Sequence, residues 1–381
     1  QILKGDIMSD TKALSVKEYR ENIDNYKRDS EYSTNKAQDL WRHVKTVIEG
    51  VESYWKNKNY ETPPEAYQSL IRLFCDTQGS SNDFFHDIVK LNHPPYKLPE
   101  TVKGVLGELD SAKLKMISEQ LAEDGFYVFE HKLDDDIIEE LLEISRTQVA
   151  HVRPIEADAK TYKIEEELQE IYDPNNKKGI RYDYYPDVLL SNNRVQKMLA
   201  DMSLIALAQE YLGCQPVSDV LGYWIHTDFV KESNAMAATK WHFDMDRIKW
   251  MKVFFYLSDM DTDHGPHCFV RGSHKTGGIP AELLKRGYAR IEDWEVEQYY
   301  KKEDILEVVG KKGTIVVVDT RGLHKGKYLL KGDRTLFQMN FSDSLFGGAF
   351  DKKAHTFPEE ICEELRDTMA RYPRVFAKYN N

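Results

Sequence analysis

His242 and Asp244 stand two residues apart in "KWHFDMDRIKWMKVFFYLSDMD", residues 240–261, just before a dense apolar run. In an extended chain, positions i and i+2 share a face, so an imidazole and a carboxylate would point the same way. A third donor, His324, follows the apolar run of "GTIVVVDTRGLHKG", residues 313–326. If the intervening sheet closes on itself, His324 returns beside the pair. Two imidazoles and one carboxylate then grip a cation from one side and leave the other side open, a donor set that suits non-haem Fe(II). Arg334 begins the next strand, "RTLFQMNFS". A guanidinium inside a β-roll needs an anion, and its planar fork suits a carboxylate. A dicarboxylate that chelates the ion at one end and pairs with Arg334 at the other meets both needs; 2-oxoglutarate is such a molecule.

Lys252, Phe254 and Tyr256 share one face of the strand after the pair, and Val253, Phe255 and Leu257 the other. The first face is taken to look into the roll, which puts Lys252 and Phe254 beside a bound anion; a solvated Lys252 is the plainer alternative. Trp224 and His226 alternate in "GYWIHTDF" and are read as lining the same space, with Trp224 as a cosubstrate contact, although core packing is the commoner fate of such residues. The plainer readings of the other residues are a satisfied His–Asp pair with an unrelated turn histidine, and an Arg334 salt bridge to Asp333 or Asp343. The dense Asp, Thr and Gly of "DMDTDHGPHC" (259–268) mark a turn and not a second metal site built on His264, His267 and Cys268. His274 is read as a loop-bonding side chain.

The elements that must position these residues fall into two parts. From Ala37 to Trp55 the apolar positions repeat near 3.6 residues, and further helices are expected over Pro64–Phe74 and Phe84–Leu91. "HPPYKLP" (93–99) breaks the pattern. A helix ending at Gly125, a strand over 126–130 and a helix over 133–144 follow. Residues 151–190 read as a surface excursion over the site, with the aromatic "YDYY" (182–185) as a substrate contact or, the plainer reading, a polar loop, and 194–213 as one helix. From Val217 the chain turns to short β-branched and aromatic strands, the pattern of a sandwich or closed roll. An insertion interrupts them at about 276–310, and a C-terminal helix is expected with Pro358 near its start. The fold class is α+β: a double-stranded β-helix, or jelly roll, with flanking helices. The expected division is a helical N-terminal extension over 1–109, the roll over 110–345 and a helical segment over 346–381.

The chain has 381 residues with 52 Lys and Arg against 64 Asp and Glu, a net charge of −12. An acidic chain with no basic block argues against general nucleic-acid or anionic-membrane binding. No apolar run approaches the ~20 residues of a membrane span. The start, "QILKGDIMSD", has no signal-peptide core; Met8 is the expected natural start, with residues 1–7 a remnant ahead of it. Cys75, Cys214, Cys268 and Cys362 are scattered and read as reduced thiols of a cytoplasmic protein.

"WHFDMD", "HGPHCFVRGSHK", "GTIVVVDTRGLHKG" and "GDRTLFQMNFS" together resemble the phytanoyl-CoA dioxygenase-like branch of the Fe(II)/2-oxoglutarate oxygenases, and "LAEDGFYVFEHKLDDDIIEELLE" resembles that family's leading helix and strand. The resemblance covers about 110–345. It implies a double-stranded β-helix in which His242, Asp244 and His324 bind Fe(II) and Arg334 holds the far carboxylate of 2-oxoglutarate. It implies that O2 is consumed, 2-oxoglutarate becomes succinate and a substrate C–H bond is oxidised, with hydroxylation the default. Members that halogenate carry a small residue where this chain has Asp244. Two positions depart from the pattern: Arg271 stands where proline is frequent, and Gly326 where some members carry a hydroxyl that touches the cosubstrate.

Two other functions compete: a zinc-dependent isomerase or hydrolase, or a non-catalytic binding protein, on the same roll. A zinc enzyme has no use for Arg334, and drift in a binding protein would have broken the triad. The expected partner is a small-molecule substrate, with a carrier-bound substrate and a homodimer through the Ala37–Trp55 stripe left open.

Overall fold

The strand-rich half begins with a hairpin that the sequence reading does not anticipate, β1 (Thr101–Gly104) with β2 (Gly107–Asp110). A large sheet follows, built from β3 (Phe126–Val128), β4 (Val149–Arg153), β5 (Leu168–Ile171), β6 (Arg181–Tyr184), β7 (Val217–Thr227), β8 (Trp250–Tyr256), β11 (Ile315–Val318) and β13 (Asp333–Ser342). Its strand order is β3-β11-β8-β13-β7-β6-β4-β5, with every pairing antiparallel. A smaller sheet of β9 (His267–Val270), β10 (Ile305–Val308) and β12 (His324–Gly326) has the order β10-β9-β12. This computed structural model describes residues 36–56, 61–154, 168–233, 238–348, 355–358 and 360–380. The expected start at Met8 and the segment 1–7 lie outside the described residues.

Period-2 alternation sorts the large sheet's two faces. Trp224, Phe254, Tyr256, Val316, Val318 and Leu336 point inward and meet Met260, Phe269 and Val308 from the facing side. Val253, Phe255, Val317, Phe337 and Met339 point outward into the main core beneath the helices. The two sheets closed on each other form a double-stranded β-helix inside an α+β fold.

The helices are α1 (Lys36–Lys56), α2 (Pro64–Thr77), α3 (Ser80–Asn92), α4 (Ser111–Asp124), α5 (Asp135–Thr147), α6 (Pro186–Leu189), α7 (Asn193–Leu199), α8 (Met202–Leu212), α9 (Ala281–Leu284), α10 (Asp293–Glu297) and α11 (Glu363–Arg371). Proline sits in the first turn of α2, and Gly125, at φ 88°, ends α4. The α1–α3 segment shares its core with the sheet. Phe74 stacks on Phe243 at 5.2 Å, the Asn82 amide donates to the Ile248 carbonyl at 2.9 Å, and His86 Nδ1 lies 2.9 Å from Asp343 Oδ2.

Several sequence expectations are corrected. The helix expected over 194–213 is two, because the Asp201 carboxylate caps α8 by accepting from the Ser203 and Leu204 amides at 2.9 and 3.1 Å. The excursion expected over 151–190 supplies β4, β5 and β6; residues 155–167 lie outside the described residues. "YDYY" is not a polar loop: Tyr182 and Tyr184 are buried under β6. The end of the 276–310 insertion pairs with β9 as β10. The C-terminal helix starts at Glu363, well past Pro358.

Candidate active site

The segment before β8 is zipped onto the end of β12. The His242 amide donates to the His324 carbonyl at 3.0 Å, the His324 amide returns to the His242 carbonyl at 2.8 Å, and the Asp244 amide donates to the Thr320 carbonyl at 2.8 Å. Backbone hydrogen bonds thus set the three expected donors side by side. His242 Nδ1 lies 2.8 Å from the Lys240 carbonyl, and His324 Nδ1 lies 2.9 Å from the Gly322 carbonyl. A carbonyl can only accept, so each Nδ1 carries the proton and each Nε2 keeps a free lone pair. His242 Nε2 is 3.7 Å from Asp244 Oδ1, and His324 Nε2 is 3.4 Å from Asp244 Oδ2. All three side chains are buried, and their donor atoms lie within 4.8 Å of one another. Among the described residues this is the one such cluster of three or more.

Lys252 faces this space from β8, as expected, but it is not solvated. Its Nζ lies 2.6 Å from Asp244 Oδ2 and 2.9 Å from Asp246 Oδ2, so the anions beside it are the protein's own. Burial alone would lower the ammonium's pKa; Asp244 and Asp246 outweigh it and raise it. Burial also works against an ionised Asp244, but Lys252 and His324 outweigh it and hold that carboxyl well below the usual range. Asp246 goes the other way, raised by burial and by the charge on Asp244. Of the two carboxyls that share Lys252, Asp244 is the one whose charged form the surroundings favour. Burial, then nearby Arg290, lowers His242, which keeps its imidazole neutral.

A cavity of about 290 Å³ opens beside the triad. Arg334 lines it and is 1% exposed. Its Nη1 donates to the Gly265 carbonyl and its Nη2 to His226 Nδ1, but no carboxylate among the described residues pairs with it. Asp333 is taken by Tyr172 and Lys177, and Asp343 by His86, so neither neighbour serves as its salt bridge. Burial pulls the guanidinium down to about 10, which leaves it a cation at neutral pH. Trp224 Nε1, His226 Nε2, His267 Nδ1 and Arg334 Nε are buried, lack any hydrogen-bond partner among the described residues and all belong to residues lining this cavity. Burying so many unsatisfied polar atoms is costly unless a polar ligand meets them. Burial and then Arg334 push both His226 and His267 well below the usual imidazole range.

Phe254 and Trp224 line the cavity, and Phe254 stacks on His267 at 4.2 Å. His267 had been dismissed with its turn; the missed signal is that His267 and Phe269 alternate along β9. Arg181 and Asp183, also missed, alternate with the buried Tyr182 and Tyr184. The Arg181 guanidinium lies 4.6 Å over the Trp224 ring and 2.6 Å from Asp183. Among the remaining motif residues, His264 pairs with exposed Asp261 and forms no metal cluster with other described residues. The His274 ring bonds the Ala122 carbonyl at 3.0 Å and ties "GSHK" to α4. Arg271 pairs with Asp124 at 2.7 Å. A Cβ at Gly326 would sit 2.8 Å from Arg334 Nη2, so the missing hydroxyl has a steric reason. The four cysteines are free. No described helix is long and apolar enough to cross a membrane.

No curated protein matches the chain. Among solved structures, the chain is similar to the epimerase SnoN in complex with Fe3+, alpha-ketoglutarate and nogalamycin RO, at 16% identity and a TM-score of 0.42, over 61% of this chain and 85% of SnoN. It is also similar to HygX from Streptomyces hygroscopicus with nickel, 2-oxoglutarate and hygromycin B bound, at 16% identity and a TM-score of 0.40, over 68% of this chain and 94% of HygX. A third is the non-heme monooxygenase ThoJ, at 14% identity and a TM-score of 0.39, over 69% of this chain and 95% of ThoJ. The family Phytanoyl-CoA dioxygenase (PhyH) matches residues 121–328, more than half of the sequence. That span contains His242, Asp244 and His324 and stops short of Arg334. The chain belongs to the phytanoyl-CoA dioxygenase family of Fe(II)- and 2-oxoglutarate-dependent oxygenases.

Proposed function

We propose that the protein hydroxylates, or carries out a closely related C–H oxidation on, a small-molecule substrate, with His242, Asp244 and His324 as the iron ligands and Arg334 as the clamp for the far carboxylate of 2-oxoglutarate. The observation that carries this reading is Arg334: a buried cation without a carboxylate partner among the described residues, in the same cavity as the three donors. When bound, iron and 2-oxoglutarate supply the oxidising power, with 2-oxoglutarate losing CO2 to become succinate as one oxygen atom of O2 enters succinate and the other enters the substrate.

The chain's own residues do the rest. His242 and His324 present Nε2 lone pairs whose direction is fixed by the Nδ1 bonds to Lys240 and Gly322. Lys252 occupies Asp244 Oδ2 and leaves Oδ1 as the freer donor atom. Because His226 Nδ1 accepts from Arg334, its proton sits on Nε2; with Trp224 Nε1 it offers two further donors to an anion. Phe254 and the Trp224 ring keep water from the reacting centre. A cavity of about 290 Å³ is small for cosubstrate and substrate together, so the substrate presents only its reacting end.

Anaerobic calorimetry with Fe(II) and then 2-oxoglutarate tests the assignment. Asp244→Ala should abolish metal binding in this titration and, once O2 is admitted, succinate formation. Arg334→Met should raise the 2-oxoglutarate Kd at least about 100-fold with the metal Kd nearly unchanged, the loss of a buried charged pair. An Arg334→Met protein that binds 2-oxoglutarate normally sinks the clamp.

A further inference from the structure

Helix α1 carries a second pattern on the shoulder of its buried face. Trp41, Val44, Ile48, Val51 and Trp55 are spaced three, four, three and four residues apart, the a/d repeat of a helix that pairs with another helix. Val44 and Val51 form the inner edge of this seam, half-buried against the core. The outer positions are open: Trp41 is 68%, Ile48 39% and Trp55 44% exposed. The side that packs on α2 and on Leu345 and Phe346 is a different one, with Val47 and Tyr54 buried. Isolated exposed apolar residues are ordinary. Two tryptophans and an isoleucine in register along about 21 Å of one helix are not.

The charges beside the seam identify its occupant. Arg42 and Lys45 flank its first half, and Glu49 and Glu52 its second. In the single chain, among the described residues, these groups make surface ion pairs, Lys45 to Glu49 at 3.6 Å, Glu52 to Lys56 at 3.6 Å and Arg42 to Asp39 at 3.3 Å, each worth little. Turned end for end about Ile48, the helix is complementary to itself. Trp41 meets Trp55 of the second copy, Ile48 meets its counterpart, and Lys45 faces Glu52. A parallel copy would instead set this charged flank against the opposite flank, where Val47 and Tyr54 are buried in the chain's own core. Self-complementarity about a two-fold axis is what a symmetric dimer requires.

The geometry points to a homodimer in which α1 packs antiparallel against α1 of a second copy, across the Trp41–Ile48–Trp55 stripe. Such a seam is at the small end for a stable interface, so the dimer depends on concentration. Sedimentation velocity on the full chain, from about 1 to 50 µM, tests it. The wild type should be dimeric at the upper end. Ile48→Glu should raise the dimer Kd at least about 100-fold, since it removes two buried isoleucines and opposes two carboxylates, with the unfolding midpoint unchanged. Lys45→Glu should weaken the dimer about 10-fold, and Lys45→Glu with Glu52→Lys should restore it. A wild-type monomer at 50 µM, which would mean that the stripe is covered by preceding residues or left bare, overturns the proposal. A dimer that survives Ile48→Glu also overturns it. A charge-swapped pair no tighter than Lys45→Glu alone overturns the antiparallel arrangement.

Discussion

At the scale of single residues, the site depends on two groups that are not metal ligands. Lys252 is the counter-ion that lets Asp244 and Asp246 stand together in a buried space. Lys252→Met leaves two carboxyls without a cation. It should cost about 3 kcal/mol in urea unfolding, whereas Lys252→Arg should keep most of that stability. Gly326 is the second. Any Cβ there meets Arg334 Nη2 at 2.8 Å. Gly326→Ser should therefore raise the 2-oxoglutarate Kd at least about 10-fold by calorimetry while leaving metal affinity as it was. Equal loss of both affinities would show general misfolding and refute the steric account. Neither role is visible in the linear chain. The donors themselves were legible because residue type, order and spacing carry them. That Lys252 answers two aspartates, and that Gly326 makes room for a guanidinium, depends on approaches across the sheet that no local pattern encodes.

At the scale of elements, the strands after Val217 were readable because β-branched and aromatic runs are punctuated by turns. The strands β4, β5 and β6 were not, because their alternation is masked by charge. Arg181 and Asp183 face inward with each other as partners, and their segment reads as polar although three of its four residues are buried. The break between α7 and α8 was hidden for a different reason. Its apolar pattern runs straight through, and only the Asp201 cap interrupts the helix. Strand β7 is pinned by another ionic cluster. Asp219 accepts from Arg247 at 2.6 and 2.8 Å, from Lys378 at 3.0 Å and from Ser342 at 2.9 Å. Burial works to raise this carboxyl, but Arg247 and Lys378 outweigh it and hold it below its ordinary value. A depressed folded pKa stabilises above the unfolded value of about 3.9 and is lost as pH falls toward the folded value. Asp219→Asn should accordingly cost about 3 kcal/mol at pH 7, and its gap from wild type should narrow below about pH 4. A gap that widens in acid would show the sign to be wrong.

At the scale of the whole molecule, the helical α1–α3 segment reads from sequence as an extension but packs against the sheet behind the site. Phe243, between the two proposed ligands His242 and Asp244, points away from the cavity and stacks on Phe74 of α2. Its position follows from alternation, yet its partner lies some 170 residues away and could not be inferred. Phe74→Ala should cost about 3 kcal/mol of stability and raise the metal Kd severalfold. Phe84→Ala, exposed on α3, should change neither. Unchanged metal affinity in Phe74→Ala would mean that this segment supports the fold alone.

The reciprocal backbone bonds between His242 and His324 do not need an ion to form. A zinc finger collapses when its metal is stripped, because the ion is its staple. Here the sheet is the staple. Iron should come and go as an exchangeable guest: a chelator ought to silence the enzyme without melting it, and fresh Fe(II) ought to wake it with no refolding.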